Sequence, residues 1–318
     1  MRTAPALATC VILLTGLCAA YLKCGLGDTP PEIEGVIISE LRLPRMLCAM
    51  GVGALLSISG ALMQGLFRNP LVEPYTMGIS GGAIAGVAIA FTFGLVGIWG
   101  EWAVVASAAI GGMATMVVIL ALRRTVGYDI GAMLMCGVMV SFVASAATTV
   151  LLSLATREDA SQVLAWSVGT FDGAGHGMAW AVACAGAAAT LLSPLCGNTL
   201  NILQLGEREA HSLGVDTHAA TGIIFTVATL LAALSVSAAG VIPFVGMAVP
   251  HAVRSALGSD NRVTLPACGL AGAALTLACD LVAKTIISPR ELPTGAICAV
   301  FGGAAFVYLT MKWKKTAR

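Results

Sequence analysis

Charge is scarce in this chain. Asp, Glu, Lys and Arg make up 10% of 318 residues, where a soluble domain carries about a quarter. Seventeen bases and sixteen acids nearly cancel, to a formal net charge of +1. No basic surface is left to neutralise phosphates, so no nucleic acid partner is expected. Short chemical motifs are missing too. A G-x-x-x-x-G-K-[ST] phosphate loop does not occur, and the Lys-Thr pairs at Lys284 and Lys315 lack its glycines, which excludes ATP hydrolysis by that route. No H-E-x-x-H is present, and His176, His211, His218 and His251 show no ligand spacing. The ten cysteines contain no C-x-x-C, and most lie singly in apolar runs (Cys10, Cys18, Cys48, Cys136, Cys184, Cys268, Cys279, Cys298). They read as small hydrophobes, and neither a metal nor a cofactor is expected on the chain.

What is present is apolar: 58% hydrophobic residues and 37 glycines, with a mean hydropathy of +0.92. Such a composition describes a polytopic, all-α integral membrane protein, read as a single domain over 1–318. Crossing ~30 Å of hydrocarbon takes about 20 residues of helix. On that ruler about ten spans fall near 4–23, 46–66, 78–98, 102–122, 131–155, 177–196, 219–238, 240–257, 264–284 and 293–311. Pro243 and Pro250 interrupt the eighth, which predicts a short or broken helix. The first run could pass for a signal peptide, but Leu17 precedes Cys18 where a lipobox needs a small residue, so an uncleaved first helix is expected.

With the N-terminus inside, eleven of the seventeen Lys and Arg fall on the cytoplasmic side, so both termini are predicted cytoplasmic. Lys23, Arg42, Arg45, Arg157, Lys284 and Arg290 fall outside. Small residues recur at four-residue spacing, as in Gly53, Ser57, Ala61 and Gly65, or Gly78, Gly82, Gly86, Ala90 and Gly94, or Gly295, Ala299 and Gly303. Such ladders predict close helix packing. LSISGA at 56–61 echoes LSVSAA at 234–239, as two inverted halves would. Asp280 and Lys284, clear in-span ionisable residues one turn apart, read either as a self-neutralising pair or as functional charges.

LGEREAHSLGVD, Leu205 to Asp216, concentrates charge between the sixth and seventh spans. Its residue types allow a merely solvated loop or a short amphipathic element, with Glu207, Arg208 and Glu209 on a polar face and Leu205, Leu213 and Val215 on an apolar one. Together with LRLPRMLCAMGVGALLSISGALMQGLFRNPLVEPYTMGISGG (Leu41 to Gly82), VIPFVGMAVPHAVR (Val241 to Arg254) and DLVAKTIISPRELPTGAICAVFGGAAFVYL (Asp280 to Leu309), it resembles the FecCD-type permeases. These are membrane subunits of ABC importers for iron-siderophores, haem and cobalamin.

The resemblance implies the type II ABC importer permease fold of ten helices, in a homodimer in the inner (cytoplasmic) membrane. Two ABC ATPase subunits, which carry the ATP-Mg, would lie below, and a periplasmic or lipid-anchored substrate-binding protein above. It further implies that Leu205, Gly206, Glu207, Arg208, Glu209, Ala210, Ser212, Leu213 and Gly214 couple to the ATPase. Arg42, Arg45 and Lys284 would dock the binding protein. VGYDIGA after Arg123-Arg124 matches the loop that forms the inner gate, here Asp129, Ile130 and Gly131, where the family often carries small hydroxyl residues. The chain itself is expected to be a transport subunit and not an enzyme. An ion-coupled secondary transporter is the rival reading, distinguished by dependence on an ion gradient instead of ATP.

Overall fold

The computed structural model describes residues 3–24, 30–126, 130–287 and 290–316. In chain order the helices are α1 (Thr3–Lys23), α2 (Pro31–Val36), a π-helical turn (Ile37–Arg42) that runs into α3 (Leu43–Phe67), a 3₁₀ turn (Pro74–Met77), α4 (Ile79–Thr92), α5 (Leu95–Trp99), α6 (Glu101–Val126), α7 (Ile130–Leu154) and α8 (Arg157–Ser167). Then come α9 (His176–Leu192), α10 (Pro194–Leu205), α11 (Glu207–Ser212), α12 (Thr217–Ala239), α13 (Val245–Leu257), α14 (Asn261–Thr285) and α15 (Thr294–Thr316). No strand occurs among the described residues.

Among the described residues five helices are long and apolar enough to cross a membrane alone, and α9 with α10 would make a sixth span bent by 55°. Each of the ten expected spans meets a helix, yet α4 has 14 residues and α13 only 13. Length alone therefore does not establish ten crossings. The sixth span also departs from expectation. Pro194 does not end it but starts α10, which carries the chain on to Leu205 and delivers it to α11. In the eighth an irregular stretch around Pro243 runs to Phe244 before the short α13, as a broken or short helix would, but Pro250 lies inside α13 without ending it.

Helix α3 is the axis of the bundle. It is apolar all round and buried continuously from Gly51 to Phe67, the pattern of a helix enclosed by others. Its small residues set how close those neighbours come. Gly53 faces the Gly272 backbone of α14, Gly60 the Gly246 backbone of α13, and Gly65 the Leu200 side chain of α10, and a Cβ at any of the three would collide. Without a hydrophobic drive between helices in lipid, this contact and interhelical hydroxyl bonds hold the bundle. Ser57 donates to Cys268 O at 2.6 Å, Ser59 to Ala228 O at 2.5 Å, and Thr276 to Ala49 O at 2.8 Å. Bonds of this kind contribute roughly 0.6 kcal/mol each.

At 1.5 Å per residue α3 is about 37 Å long, and it separates two ends of the molecule. Its first turn carries Arg45 beside the last turns of α14. Its last turn carries Gln64 beside Arg254 of α13. Helix α12 leaves α11 and finishes at Ala239, whose carbonyl accepts from Thr170 N, while Gly169 accepts from Gly295 N beside the start of α15. Helices α3 and α12 thus run in opposite directions, the orientation the LSISGA and LSVSAA echo leads one to expect.

Candidate functional site

At the Arg45 end, one buried carboxylate organises four elements. Asp280 of α14 is fully buried and accepts from Arg45 Nε and Nη2, both at 2.9 Å, from Tyr21 OH at 2.5 Å and from Thr294 Oγ1 at 2.6 Å. The planar guanidinium matches both carboxylate oxygens, the geometry that offsets the cost of burying the two charges. Arg45 Nη1 turns outward to Glu291 Oε2 at 2.5 Å, with Asp172 Oδ1 at 3.8 Å. The Arg45 side chain is only 11% exposed.

This corrects the self-neutralising pair that the sequence allowed within α14. Asp280 is held by Arg45 of α3. Lys284 lies instead with Nζ 3.5 Å from the centroid of the Tyr21 ring and donates to Tyr21 O at 3.3 Å. A lysine can offer a point charge at a ring face, whereas only arginine fills the bidentate carboxylate site. Arg42 Nη1 donates to Leu22 O and Cys24 O, both at 2.8 Å, and so satisfies carbonyls at the end of α1. The two arginines therefore serve different neighbours although they are three residues apart. The structure brings Arg42, Arg45 and Lys284 to one end, around Tyr21, but none of them projects as an unengaged side chain. Arg290 and Glu291, in the loop before α15, are exposed at this end.

At the other end, α11 is a six-residue helix between Gly206 (φ 136) and Gly214 (φ 79). Both glycines occupy backbone conformations that L side chains seldom adopt, which fixes the sharp entry and exit. Glu207, Arg208, Glu209 and Ser212 are exposed, and only Ala210 is buried. Of the expected apolar face, Leu205 and Leu213 are 63% and 59% exposed and Val215 is half-buried. The two leucines thus join the charged residues on an outward surface, and Asp216 closes the unit by accepting from His218 N and Ala219 N at the start of α12. A cleft of about 860 Å³ opens between Glu207, Arg208, His211 and Asp216.

Nearby, Asn201 of α10 donates to Asp260 Oδ1 at 2.8 Å, and Arg262 grips both oxygens of Asp260. Arg262 and then Asn201 hold this loop carboxyl well below the usual carboxylate range.

Of the three expected gate residues, Asp129 lies outside the described residues, Ile130 begins α7, and Gly131 is exposed in its first turn. Sequence reasoning missed Tyr21, Asp172, Thr294 and Glu291 as partners of the arginine and aspartate. The ELPTG stretch contained two of them, but nothing in a linear sequence pairs position 45 with position 291.

A bundle of apolar helices, several long enough to cross a membrane, with a charged, glycine-bounded helix at one end and a buried arginine–aspartate pair at the other, defines the class of an all-α membrane protein. The chain belongs to the FecCD transport family, whose model matches residues 7–312. It is 35% identical to the hemin transport system permease protein of Yersinia pestis over 284 residues, 87% of this chain and 83% of that one. It is 34% identical to the vitamin B12 import system permease protein of Escherichia coli O127:H6 over 302 residues, 94% and 91% of the two chains. A solved metal-chelate type ABC transporter in an inward-facing conformation superposes with a TM-score of 0.87 at 28% identity, covering 96% of this chain and 98% of that one. The fold is therefore that of an ABC importer permease. PsaBC from Streptococcus pneumoniae, at 17% identity and a TM-score of 0.61, shares the fold.

Proposed function

We propose that this chain is the permease subunit of an ATP-driven importer for a metal chelate of the haem, cobalamin or ferric siderophore class. It works as a homodimer in the inner membrane, with two ATPase subunits on the α11 side and a substrate-binding protein on the Arg45 side. The observation that carries this reading is α11, where Leu205 and Leu213 stand exposed beside Glu207, Arg208 and Glu209 in a member of the FecCD family. An apolar and charged surface on a short, glycine-bounded helix suits a protein partner better than water or lipid. Arg68, Arg254 and Arg262 lie on that side, which the positive-inside rule makes cytoplasmic. Movement of a docked ATPase would pass through α10 and α12, the helices that flank α11, to the central α3 as rigid elements.

The Arg45 side then faces the binding protein. Arg42, Arg45 and Lys284 supply a cationic neighbourhood, with Glu291 and Asp172 already beside Arg45. A docking carboxylate would have to displace Glu291 from Arg45 Nη1, while Asp280 keeps the rest of the guanidinium in place. A proton-coupled mechanism finds no support in Asp280, both of whose oxygens are already bonded by Arg45, Tyr21 and Thr294. The test is reconstitution of the chain with its ATPase and binding protein in liposomes. ATP hydrolysis and uptake should rise with the binding protein loaded with hemin, vitamin B12 or a ferric siderophore, and should not follow an imposed ion gradient. Uptake that follows a proton or sodium gradient without the ATPase would refute the reading.

A further inference from the structure

Arg68 and Arg254, at the far end of α3, are not matched by acids in the way Arg45 is. A recess of about 250 Å³ opens between the last turns of α3, α10 and α13, lined by Gln64, Arg68, Asn69, Pro70, Gln204 and Arg254. It holds two guanidiniums and three amide side chains, and no carboxylate. Arg254 donates Nη1 to Gln64 Oε1 at 2.5 Å and Nη2 to Ala61 O at 3.1 Å. Both acceptors are neutral, and a guanidinium has five N–H groups. Among the described residues no acid lies within ion-pair distance of Arg254 or Arg68, whereas Arg45 has Asp280 and Glu291, and Arg262 has Asp260. Among the described residues Arg68 is also one of two non-glycine residues with positive φ, at 49°, a backbone conformation that sets it at the end of α3 and the rim of the recess.

Partly buried guanidiniums are normally neutralised, and carboxylate or phosphate oxygens match their fork. The volume admits one such group and not a whole chelate, since small-molecule sites start near 300 Å³. Gln204 on its wall stands two residues before Gly206, the entry to α11, so the recess and α11 share one face. The α11 stretch Glu207–Glu209 carries one net negative charge and the recess two positive charges. A partner lying over both would be held in register by opposite signs at two points.

We propose that this recess is an oxyanion site that receives a carboxylate side chain of the cytoplasmic ATPase subunit, a second contact beside α11; the proposal rests on the reading of that face as the ATPase side. The Asn69–Pro70 turn that forms one wall links α3 to the segment leading into α4. Occupancy of the recess therefore ties the ATPase to the end of the central helix directly, and not only through α10 and α12.

The test uses the full chain purified with and without its ATPase subunit, with Arg68→Gln, Arg254→Lys and Arg254→Gln compared with wild type. Arg68 is exposed, so its substitution spares the bundle, and Arg254→Lys keeps the charge while losing the fork. ATPase affinity should fall about tenfold or more in Arg68→Gln and Arg254→Gln, and less in Arg254→Lys, with a shallower salt dependence in the two glutamine variants. Wild-type affinity and salt dependence in Arg68→Gln, with the wild-type complex assembled, would overturn the proposal while leaving the permease reading intact. No assembly by the wild-type chain would instead refute that reading. Bound phospholipid is counted in the same preparations. Loss of an anionic lipid from both glutamine variants, with ATPase affinity unchanged, would assign the recess to a lipid phosphate and also overturn the proposal.

Discussion

Arg45 and Arg254 stand near opposite ends of α3 and are treated in opposite ways. Arg45 is closed in, with two of its nitrogens on Asp280, a third on Glu291, and Tyr21 and Thr294 completing the carboxylate's shell. Arg254 meets only an amide oxygen and a backbone carbonyl, beside a second arginine and an open recess. The first arrangement ties α1, α3, α14 and the start of α15 together without outside help. The second leaves positive charge at a surface that also presents α11. At the first end an incoming group has to displace a carboxylate already in place, and at the second it meets guanidiniums that have none.

The largest effect should come from breaking the closed end. Asp280→Ala would leave the Arg45 guanidinium largely buried without its main partner, a change expected to cost about 3–5 kcal/mol. Thermal unfolding in detergent should show a large loss of stability, and the apolar double substitution Arg45→Met with Asp280→Leu should recover much of it. Equal stability of Asp280→Ala and wild type would mean that the cluster does not hold the bundle. Charge reversal at Arg45 is therefore a poor probe of docking, because it would set a second acid against Asp280. Arg42→Glu is the cleaner variant and should slow association of the binding protein and flatten its salt response.

Next in size is the break at the other end. Ala210→Pro interrupts α11 at its buried residue, at a cost of ~3 kcal/mol to a six-residue helix. Co-purification of the ATPase should be lost while the bundle still inserts and keeps its thermal transition. Retention of the ATPase at wild-type yield would remove α11 from the interface.

Much of this contrast was legible in the sequence, and part was not. The ladder Gly53, Ser57, Ala61 and Gly65 announced the close packing of α3, because small residues at four-residue spacing leave few other uses in a membrane helix. The break before α13 followed from Pro243, whereas Pro250 lies inside that helix. The charged stretch at 205–214 was visible as an anomaly against an apolar background. Pairing was hidden, since Asp280 lies four residues from Lys284 but 235 from Arg45, and local spacing favoured the wrong partner. The amphipathic pattern did not say which way Leu205 and Leu213 face, because it serves a helix facing its own core or a partner equally.

A smaller effect sharpens the comparison at the closed end. Glu291→Gln should free Arg45 Nη1 for an incoming carboxylate while Asp280 keeps the side chain in place. Binding-protein affinity should rise a few-fold, about 1 kcal/mol for a partly exposed pair, and become more sensitive to salt. Unchanged or weaker binding would show that Glu291 does not compete with the docking group.

The smallest concerns Asp260, whose carboxyl is held below its ordinary range by Arg262 and Asn201. Its folded-state pKa is depressed, so the stabilisation is complete above the unfolded carboxylate value of about 4 and is lost as pH falls through the folded value. The side chain is 43% exposed, so the effect should stay under about 1 kcal/mol. Asp260→Asn should be slightly less stable than wild type at pH 7, and the gap should close as the pH approaches 2. A gap that widened with acid would reverse the assignment.

The division of labour between the two ends is tested most directly by amide hydrogen exchange on the full chain in lipid nanodiscs, with the ATPase and the binding protein added separately. The ATPase is expected to protect residues 205–214 and the Asn69–Leu71 turn while leaving 40–45 and 290–292 unchanged, and the binding protein is expected to do the reverse. Protection of both ends by one partner, or protection of the Arg45 end by the ATPase, would contradict the account.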